Sequence, residues 1–230
     1  MSIYIIGTLV NAAAVLLGGS IGLLLKGRIP KNFAENILRA IGLCVCIIGI
    51  SSAIKGDLML LVVSLALGAL AGELLCIEDG LNKLGKWMQE SFSRQDEESA
   101  FAEGFVTATL LFCVGAMSII GSIDSGLGND RSMIYTKSIL DGIGAMVFAS
   151  YLGFGVLFSA IVILVYQGSI EIFAGYLQTV LTPDLITHFS AAGGVMVLAI
   201  GLNMLLNAKI KVANLLPGLL FAVGYYYLLL

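Results

Sequence analysis

The sequence is poor in charge, histidine and cysteine, and each shortage excludes a class of protein. Only 12% of its 230 residues are charged, whereas a typical soluble domain has about 25%. No basic cluster of the kind that binds nucleic acid is present. A single histidine, His188, and four cysteines in or beside apolar runs predict neither a metal site nor a disulfide framework. We therefore expect no cofactor, no metal and no nucleic-acid partner.

Catalytic motifs are also missing. The chain has no HExxH motif, no P-loop, no Ser/His/Asp set and no pair of catalytic acids on one helix face. We predict that the protein is not an enzyme.

What the sequence has in excess is apolar surface. Hydrophobic residues make up 59% of the chain, more than a soluble core of this size can use, so lipid must cover much of it. Most of eight apolar runs approach or exceed the 17–25 residues that cross a bilayer. The runs are residues 3–25, 34–54, 57–75, 101–122, 138–152, 153–172, 187–207 and 211–229. We predict one all-α integral membrane domain over residues 1–230, with about eight transmembrane helices. The fifth and sixth are short, or form a re-entrant hairpin that turns at residues 153–155.

The positive side chains predict the orientation of the spans. With the first loop in the cytoplasm, nine of them lie inside and three outside, and the alternation holds through eight spans. Those inside are Lys26, Arg28, Lys31, Arg39, Lys83, Lys86, Arg94, Lys209 and Lys211, and those outside are Lys55, Arg131 and Lys137. Both termini are then expected outside.

Two segments have the spacing of amphipathic helices at the membrane surface. Residues 76–100 form the inner one, and Ile170, Phe173, Leu177 and Val180 mark an outer one before Pro183. The alternative is a plain connector at each place.

Weak internal similarity predicts an inverted repeat. Residues 40–51 align with residues 192–203, and Gly7 and Gly18 have the same spacing as Gly104 and Gly115. Spans one, two and three then pair with spans four, seven and eight, each pair antiparallel, with spans five and six inserted. The halves would be residues 1–75 and 101–230, on either side of the interfacial segment. Chance similarity between apolar sequences is the alternative.

Asp141 is the strongest functional candidate, because a carboxylate within an apolar run is costly and usually faces a helix contact or a cavity. It shares a helix face with Ser138, Gly142, Ala145 and Ala149, and Lys137 lies one turn before it. The alternative is an acid that is simply neutralised by Lys137 near the outer surface, or that caps a short helix.

Glycine-rich ends of spans one and four, at residues 18–22 and 115–121, predict unwound helix at a transport site. Tight packing of small residues is the alternative. The further candidates are polar side chains in or beside the spans: Glu73, Asp124, Asn11, Ser20, Thr107, Ser118, Gln167 and Asn203. For Glu73 a solvated helix end, for Asp124 a loop outside span four, and for Asn203 an interhelical hydrogen bond are the alternatives.

Several motifs in this order resemble a bacterial inner-membrane family catalogued as domain of unknown function 554, the YqgA/YdfK-like proteins. They are Gly72-Glu73 with Ile77-Glu78, residues 113–117, residues 137–142, residues 166–168, residues 200–203 and residues 215–217. The resemblance covers essentially the whole chain. It implies a bacterial plasma-membrane protein, and it implies no activity and no functional residues.

The residues therefore favour a transporter of a small solute or ion, coupled through Asp141. A passive channel and a structural or regulatory membrane protein are the alternatives. The expected partners are the lipid bilayer and the solute or ion, and self-association into a homo-oligomer is left open.

Overall fold

A computed structural model describes residues 5–26, 31–80, 83, 98–113, 115–206 and 208–229, and every regular element in these ranges is helical. The prediction of an all-helical fold is confirmed for this part of the chain. The helices are α1 (Ile6–Leu25), α2 (Lys31–Ala53), α3 (Leu58–Leu74), α4 (Glu98–Cys113), α5 (Ala116–Gly126), α6 (Ser132–Leu152), α7 (Gly155–Ile172), α8 (Ala174–Val180), α9 (Pro183–Leu206), a 3-10 helix (Val212–Leu215) and α10 (Pro217–Leu229).

The helices form two compact units, each assembled from two separate stretches of chain. The first unit comprises Met1–Ile29 and Ser99–Thr182, and the second comprises Pro30–Glu98 and Pro183–Leu230. Each unit thus contains helices from both predicted repeat halves. The two-fold relation between those halves stays a prediction.

In the first unit α1 packs against α6 and α7, and glycine sets the distance of closest approach. Gly18 and Gly22 face the backbone of α6, where a Cβ atom on either would overlap the carbonyl groups of Gly142 and Met146. Small residues permit such close contact between membrane helices. The expectation of unwound helix at residues 18–22 is therefore wrong: α1 is continuous there, and its glycines are needed for packing.

Span four is interrupted, as its glycines predict. Helix α4 ends at Cys113 and α5 begins at Ala116, with Gly115 in an extended conformation (φ −176°, ψ 148°) before it. The axes of the two segments differ by 61°. The alternative of a loop position for Asp124 is wrong, since the restarted helix runs to Gly126 and holds Asp124 half-buried in its last turn.

The predicted turn at residues 153–155 is present, but the helix before it is not short. Helix α6 begins at Ser132 and has 21 residues, a length of about 31 Å. Asp130 accepts a hydrogen bond from the Ser132 N–H at this start. The apolar run begins later because Lys137 interrupts it, although Lys137 lies inside the helix. Helix α6 ends at Leu152, and the next residue is Gly153, whose φ of +81° suits glycine. Helix α7 follows with 18 residues.

In the second unit α2 packs antiparallel to α9, and α3 packs antiparallel to α10. Gly49 lies against the Gly194 carbonyl, where a Cβ would be 2.7 Å from the oxygen, and Gly201 lies against the Gly42 carbonyl in the same way at 3.0 Å. Gly68 meets Gly218 where α3 crosses α10. The axes of α2, from Arg39, and of α3 differ by 117°.

The described surface has the character of a membrane protein. Three helices, Ile6–Leu25, Gly155–Ile172 and Pro183–Leu206, are long and apolar enough to cross a bilayer by themselves, and two bent pairs pass the same test jointly. Large apolar side chains such as Leu17, Leu74 and Leu220 are more than 60% exposed, as contact with lipid requires.

The structure describes only part of the inner predicted interfacial segment, but all of the outer one. Residues 77–80, 83 and 98–100 of the inner amphipathic segment are helical, and its residues 81–82 and 84–97 lie outside the described residues. On the outer one, Phe173 separates α7 from the seven-residue α8, and the exposed side chains of Phe173 and Tyr176 lie on this segment.

Candidate ion-coupling site

The site begins with a pair of opposite charges inside the first unit. Lys137 and Asp141 are one turn apart on α6 and are 6% and 7% exposed, and the Lys137 Nζ donates a hydrogen bond to the Asp141 Oδ2. Ser138, Ala145 and Ala149 on the same helix face are also buried. The small-residue face therefore carries the carboxylate into the helix contact.

Helices α1, α5 and α7 each add an uncharged polar side chain. The Asn11 Nδ2 of α1 donates hydrogen bonds of 2.9 Å to the Asp141 Oδ2 and to the Gln167 Oε1 of α7. The Gln167 Nε2 donates one of 2.8 Å to the Ser118 Oγ of α5. We call these five residues, Asn11, Ser118, Lys137, Asp141 and Gln167, the polar network. It joins four helices of the first unit.

The polar network adjoins the interruption in span four. Ser118 lies in the first turn of α5, where its own N–H donates to the Gly115 carbonyl at 2.9 Å. Three side-chain hydrogen bonds, through Gln167 and Asn11, then connect this turn to the carboxylate of Asp141. A change in the charge of Asp141 thus has a direct hydrogen-bonded route to the helix break.

Burial makes the charge state of this pair energetically important. An unpaired charge in a medium of low dielectric constant is very costly, and a well-placed opposite charge and hydrogen bonds offset that cost. Asp141 has both in Lys137 and Asn11. The Asn11 Oδ1, in contrast, is buried and has no hydrogen-bond partner among the described residues.

Comparison with known proteins confirms the predicted resemblance. The family model described as "Protein of unknown function (DUF554)" matches residues 6–227. The chain belongs to the DUF554 family. An "Uncharacterized membrane protein YdfK" of Bacillus subtilis is 37% identical over 220 residues, 93% of this chain and 92% of that protein. An "Uncharacterized protein YqgA" of Escherichia coli is 35% identical over 223 residues, 95% of each chain. No solved structure matches significantly. The protein is thus a membrane protein of a family whose function is open.

Three other candidates of this DUF554 protein lie in the first unit but outside the polar network. Thr107 is buried in α4, and no hydrogen bond described for it reaches the network. Ser20 is exposed on α1, and Asp124 is half-buried near the end of α5. Ser20 and Asp124 therefore lie outside the polar network although each shares a helix with one of its residues.

The last two candidates, Glu73 and Asn203, lie in the second unit and stabilise local structure. Glu73 is exposed and forms an ion pair with Lys211 at 3.1 Å, which fits a solvated helix end. The Asn203 amide bonds both backbone groups of Ile210 at 2.8 Å, so it closes the loop after α9 instead of linking two helices. His188 accepts a hydrogen bond from the Asp57 N–H at 3.1 Å, at the turn between α2 and α3.

A buried acid that the sequence analysis did not single out is Glu171, which is 1% exposed. Both of its carboxylate oxygens accept from the Thr8 N–H, at 3.2 and 3.3 Å. At the end of an apolar run it resembles an ordinary interfacial residue. Its spacing of four from Gln167 was the available signal, because it places both on one face of α7.

Proposed function

We propose that the protein is a non-enzymatic plasma-membrane transporter of a small solute or ion, coupled through Asp141. The observation that carries the proposal is the polar network itself: a buried carboxylate, paired with Lys137, hydrogen-bonded through three helices to a broken span. Intramembrane acids of this kind mark ion and proton pathways. Broken helices beside them are typical of transporter sites.

The network supplies a way to couple an ion to a conformational change. When Asp141 gains a proton or a cation, its attraction for Lys137 weakens, and the hydrogen bond from Asn11 weakens with it. Lys137 and the Asn11 amide then become available to a polar or anionic solute. Because Gln167 links Asn11 to Ser118, the same event alters the hydrogen bonding of the first turn of α5. Release of the ion on the opposite side of the membrane restores the pairing of Asp141 with Lys137 and Asn11.

The proposed number of spans is eight. Helices α2 and α3 count as two spans because the chain turns by 117° between them, and α4 with α5 counts as one broken span. The helix directions within each unit agree with strict alternation. Helix α1 is parallel to α6, since Gly7, Gly18 and Gly22 meet Ile134, Gly142 and Met146 in ascending order.

The inverted repeat has its best support in the second unit. In the predicted alignment Gly42 corresponds to Gly194, and Gly49 corresponds to Gly201. The observed contacts are crossed, Gly42 with Gly201 and Gly49 with Gly194. Crossed contacts are what a two-fold axis between α2 and α9 produces. The chance similarity of apolar sequences does not require this reciprocity.

One observation favours a second candidate, a structural membrane protein in which the network only fastens helices together. Asn11, Ser118 and Gln167 are fully buried, and their mutual hydrogen bonds close the network. A passive channel is supported less, because it needs a continuous water-lined path along polar residues. Transport and fastening differ in what happens when Asp141 loses its charge.

The test is Asp141→Asn in purified protein reconstituted in liposomes. Proton flux is followed with an entrapped pH-sensitive dye and sodium influx with radioactive sodium, each under an imposed gradient. A coupled transporter loses at least roughly tenfold in ion flux, and the loss persists when Lys137→Gln in the same chain restores stability. Asp79→Asn, which removes an exposed carboxylate of the second unit, is the matched control and should keep full flux.

The fastening alternative predicts a loss of stability without a loss of ion flux that is specific to Asp141. Asp141→Asn then destabilises the protein because Lys137 is left buried and unpaired, and Lys137→Gln in the same chain restores part of the stability. Ion flux equal to wild type in Asp141→Asn would rule out the coupling role.

A further inference from the structure

His188 fastens the turn between α2 and α3 to α9. It lies in the second turn of α9 and is 9% exposed. Its Nδ1 accepts a hydrogen bond of 3.1 Å from the Asp57 N–H. Beside this bond, a Cβ atom on Gly56 would be only 2.4 Å from the Ala191 Cβ. The turn therefore lies directly on α9, and the imidazole bonds to its backbone.

The hydrogen bond to Asp57 fixes the protonation state of the imidazole. A ring nitrogen accepts a hydrogen bond only when it carries no proton, and the other nitrogen of a neutral ring then carries one. His188 is therefore neutral in this arrangement, with its proton on Nε2. A second proton would make Nδ1 a donor that faces the Asp57 N–H, and two donors cannot bond to each other. Protonation of His188 must therefore break its bond to the turn.

An alternative partner for the imidazole lies one turn away on the same helix. The His188 Nε2 is 3.7 Å from the Asp184 Oδ1, which is longer than a hydrogen bond. The Asp184 side chain is 68% exposed, so it has room to approach a charged ring. Opposite charges four residues apart on a helix attract each other. Protonation thus exchanges the bond to Asp57 for an ion pair with Asp184.

The other groups around the imidazole act on its charged form with both signs. The ring of Tyr226 on α10 lies 5.9 Å away, centroid to centroid, within the range at which an aromatic face attracts a cation. Lys55 is exposed in the same turn as Asp57, and its positive charge opposes a second one nearby. The Asp57 carboxylate accepts from the Leu60 N–H at 2.8 Å and caps the start of α3. The neutral and the charged imidazole therefore have different partners.

We propose that His188 is an acid-sensitive latch, which holds the α2–α3 turn on α9 when it is neutral and releases the turn when it is protonated. Histidine is the side chain that ordinarily changes charge between pH 5 and 8. The turn joins α2, which packs on α9, to α3, which packs on α10, and the axes of α2 and α3 differ by 117°. Release therefore frees the joint between the two helix pairs of the second unit. The latch does not rest on the proposed transport function, and in the predicted orientation it responds to the pH outside the cell.

The experiment measures hydrogen exchange of the Asp57 amide in the purified full-length chain in detergent, at single-residue resolution by mass spectrometry. Rates between pH 8 and pH 5 are compared with the intrinsic exchange rate at each pH, which gives a protection factor. Wild type should lose roughly three- to tenfold in protection on acidification, the worth of one hydrogen bond. The internal control is the Ile210 amide, which donates to the Asn203 Oδ1 at 2.8 Å. Because this acceptor does not titrate, the protection of Ile210 should stay constant.

Two variants separate the latch from a general effect of acid. In His188→Asn the side-chain Oδ1 takes the place of Nδ1 and does not titrate, so the Asp57 amide should be equally protected at pH 8 and pH 5. Asp184→Asn removes the partner of the charged ring, so the same loss of protection should need a more acidic solution. If His188→Asn does not fold, Asp184→Asn and the Ile210 amide still decide the question.

Constant protection of the wild-type Asp57 amide from pH 8 to pH 5 would overturn the latch, and so would an undiminished loss in His188→Asn. An equal loss at the Ile210 amide would indicate general loosening of the unit and would overturn it as well. A loss at the wild-type pH in Asp184→Asn would reject the exchange of partners. None of these results depends on ion flux. Wild-type flux in Asp141→Asn would therefore reject the coupling role and leave the latch standing.

Discussion

Lys137 and Asp141 illustrate how single residues can place charge inside an apolar helix bundle. Each is buried, and each depends on the other because neither has water to solvate it. Removing one partner of a buried ion pair typically costs about 3–5 kcal/mol, since the remaining charge is left uncompensated. Variants of this pair must therefore be judged by unfolding temperature as well as by flux.

Glu78 gives a pH-dependent prediction at the residue scale. Burial raises the pKa of this carboxyl above its usual value, and a hydrogen bond from the Ala213 N–H opposes the rise without cancelling it. The folded state therefore binds the proton more tightly than the unfolded state does. Stability is then greatest below the ordinary pKa of about 4.3 and falls as pH rises through the folded-state pKa.

We expect Glu78→Gln to flatten this dependence, because glutamine keeps an oxygen for the Ala213 N–H and cannot ionise. Solvent screening limits the effect to less than about 1 kcal/mol, or roughly 2–4 °C in unfolding temperature. The measurement is thermal unfolding in detergent from pH 4 to pH 7. Asp79→Asn, which removes an exposed charge of the same turn, should keep most of the slope. A wild-type slope in Glu78→Gln would contradict the assignment.

The candidate residues show how far sequence reasoning reaches at this scale. Asp141 could be predicted because a carboxylate in an apolar run is conspicuous, and Lys137 because it is one turn away. The meeting of Asn11, Ser118 and Gln167 could not be derived, since it depends on the packing of three helices that are distant in sequence.

At the scale of the element, glycine has three different uses that its frequency in the sequence does not separate. Gly115 precedes a restarted helix, Gly153 ends one with a positive φ, and Gly18 lies inside a continuous helix against a neighbour. The sequence pattern correctly predicted the break at Gly115 and the turn at Gly153. The prediction of unwound helix at Gly18 was wrong, because close packing and unwinding both favour a small residue.

Gly18→Ala provides a test of the packing interpretation. The added methyl group would overlap the Gly142 carbonyl, so α1 and α6 would have to separate. Overpacking of this kind costs about 1–3 kcal/mol, which lowers the unfolding temperature by roughly 2–10 °C. The control is Gly224→Ala in α10, where nothing lies within 4 Å of the added atom and the better helix propensity of alanine stabilises by up to about 1 kcal/mol. Equal effects of the two substitutions would contradict the close contact.

At the scale of the whole molecule, the predicted orientation can be tested by cysteine accessibility. The native cysteines are first replaced by serine, and single cysteines are introduced at Ser2, Lys83 and Asn129. We expect Ser2→Cys and Asn129→Cys to react with a membrane-impermeant reagent in intact cells, and Lys83→Cys to react only after permeabilisation. A cysteine placed at residue 230 should behave like the one at residue 2. Opposite labelling of the two ends would rule out an even number of spans.

The interleaving of the two units along the chain has a consequence for biosynthesis. Helix α1 is complete at Leu25, but its neighbour α6 starts at Ser132. At about 5–20 residues per second, roughly 5–20 s of translation separate them. During that interval the Asn11 amide and the glycine face of α1 have none of the partners described for them. The second unit has a similar delay between α2 and α9. A nascent chain halted after α3 therefore contains neither complete unit. Until its neighbours are translated, α1 must either stay bound to the insertion machinery or expose its Asn11 amide and glycine face to lipid.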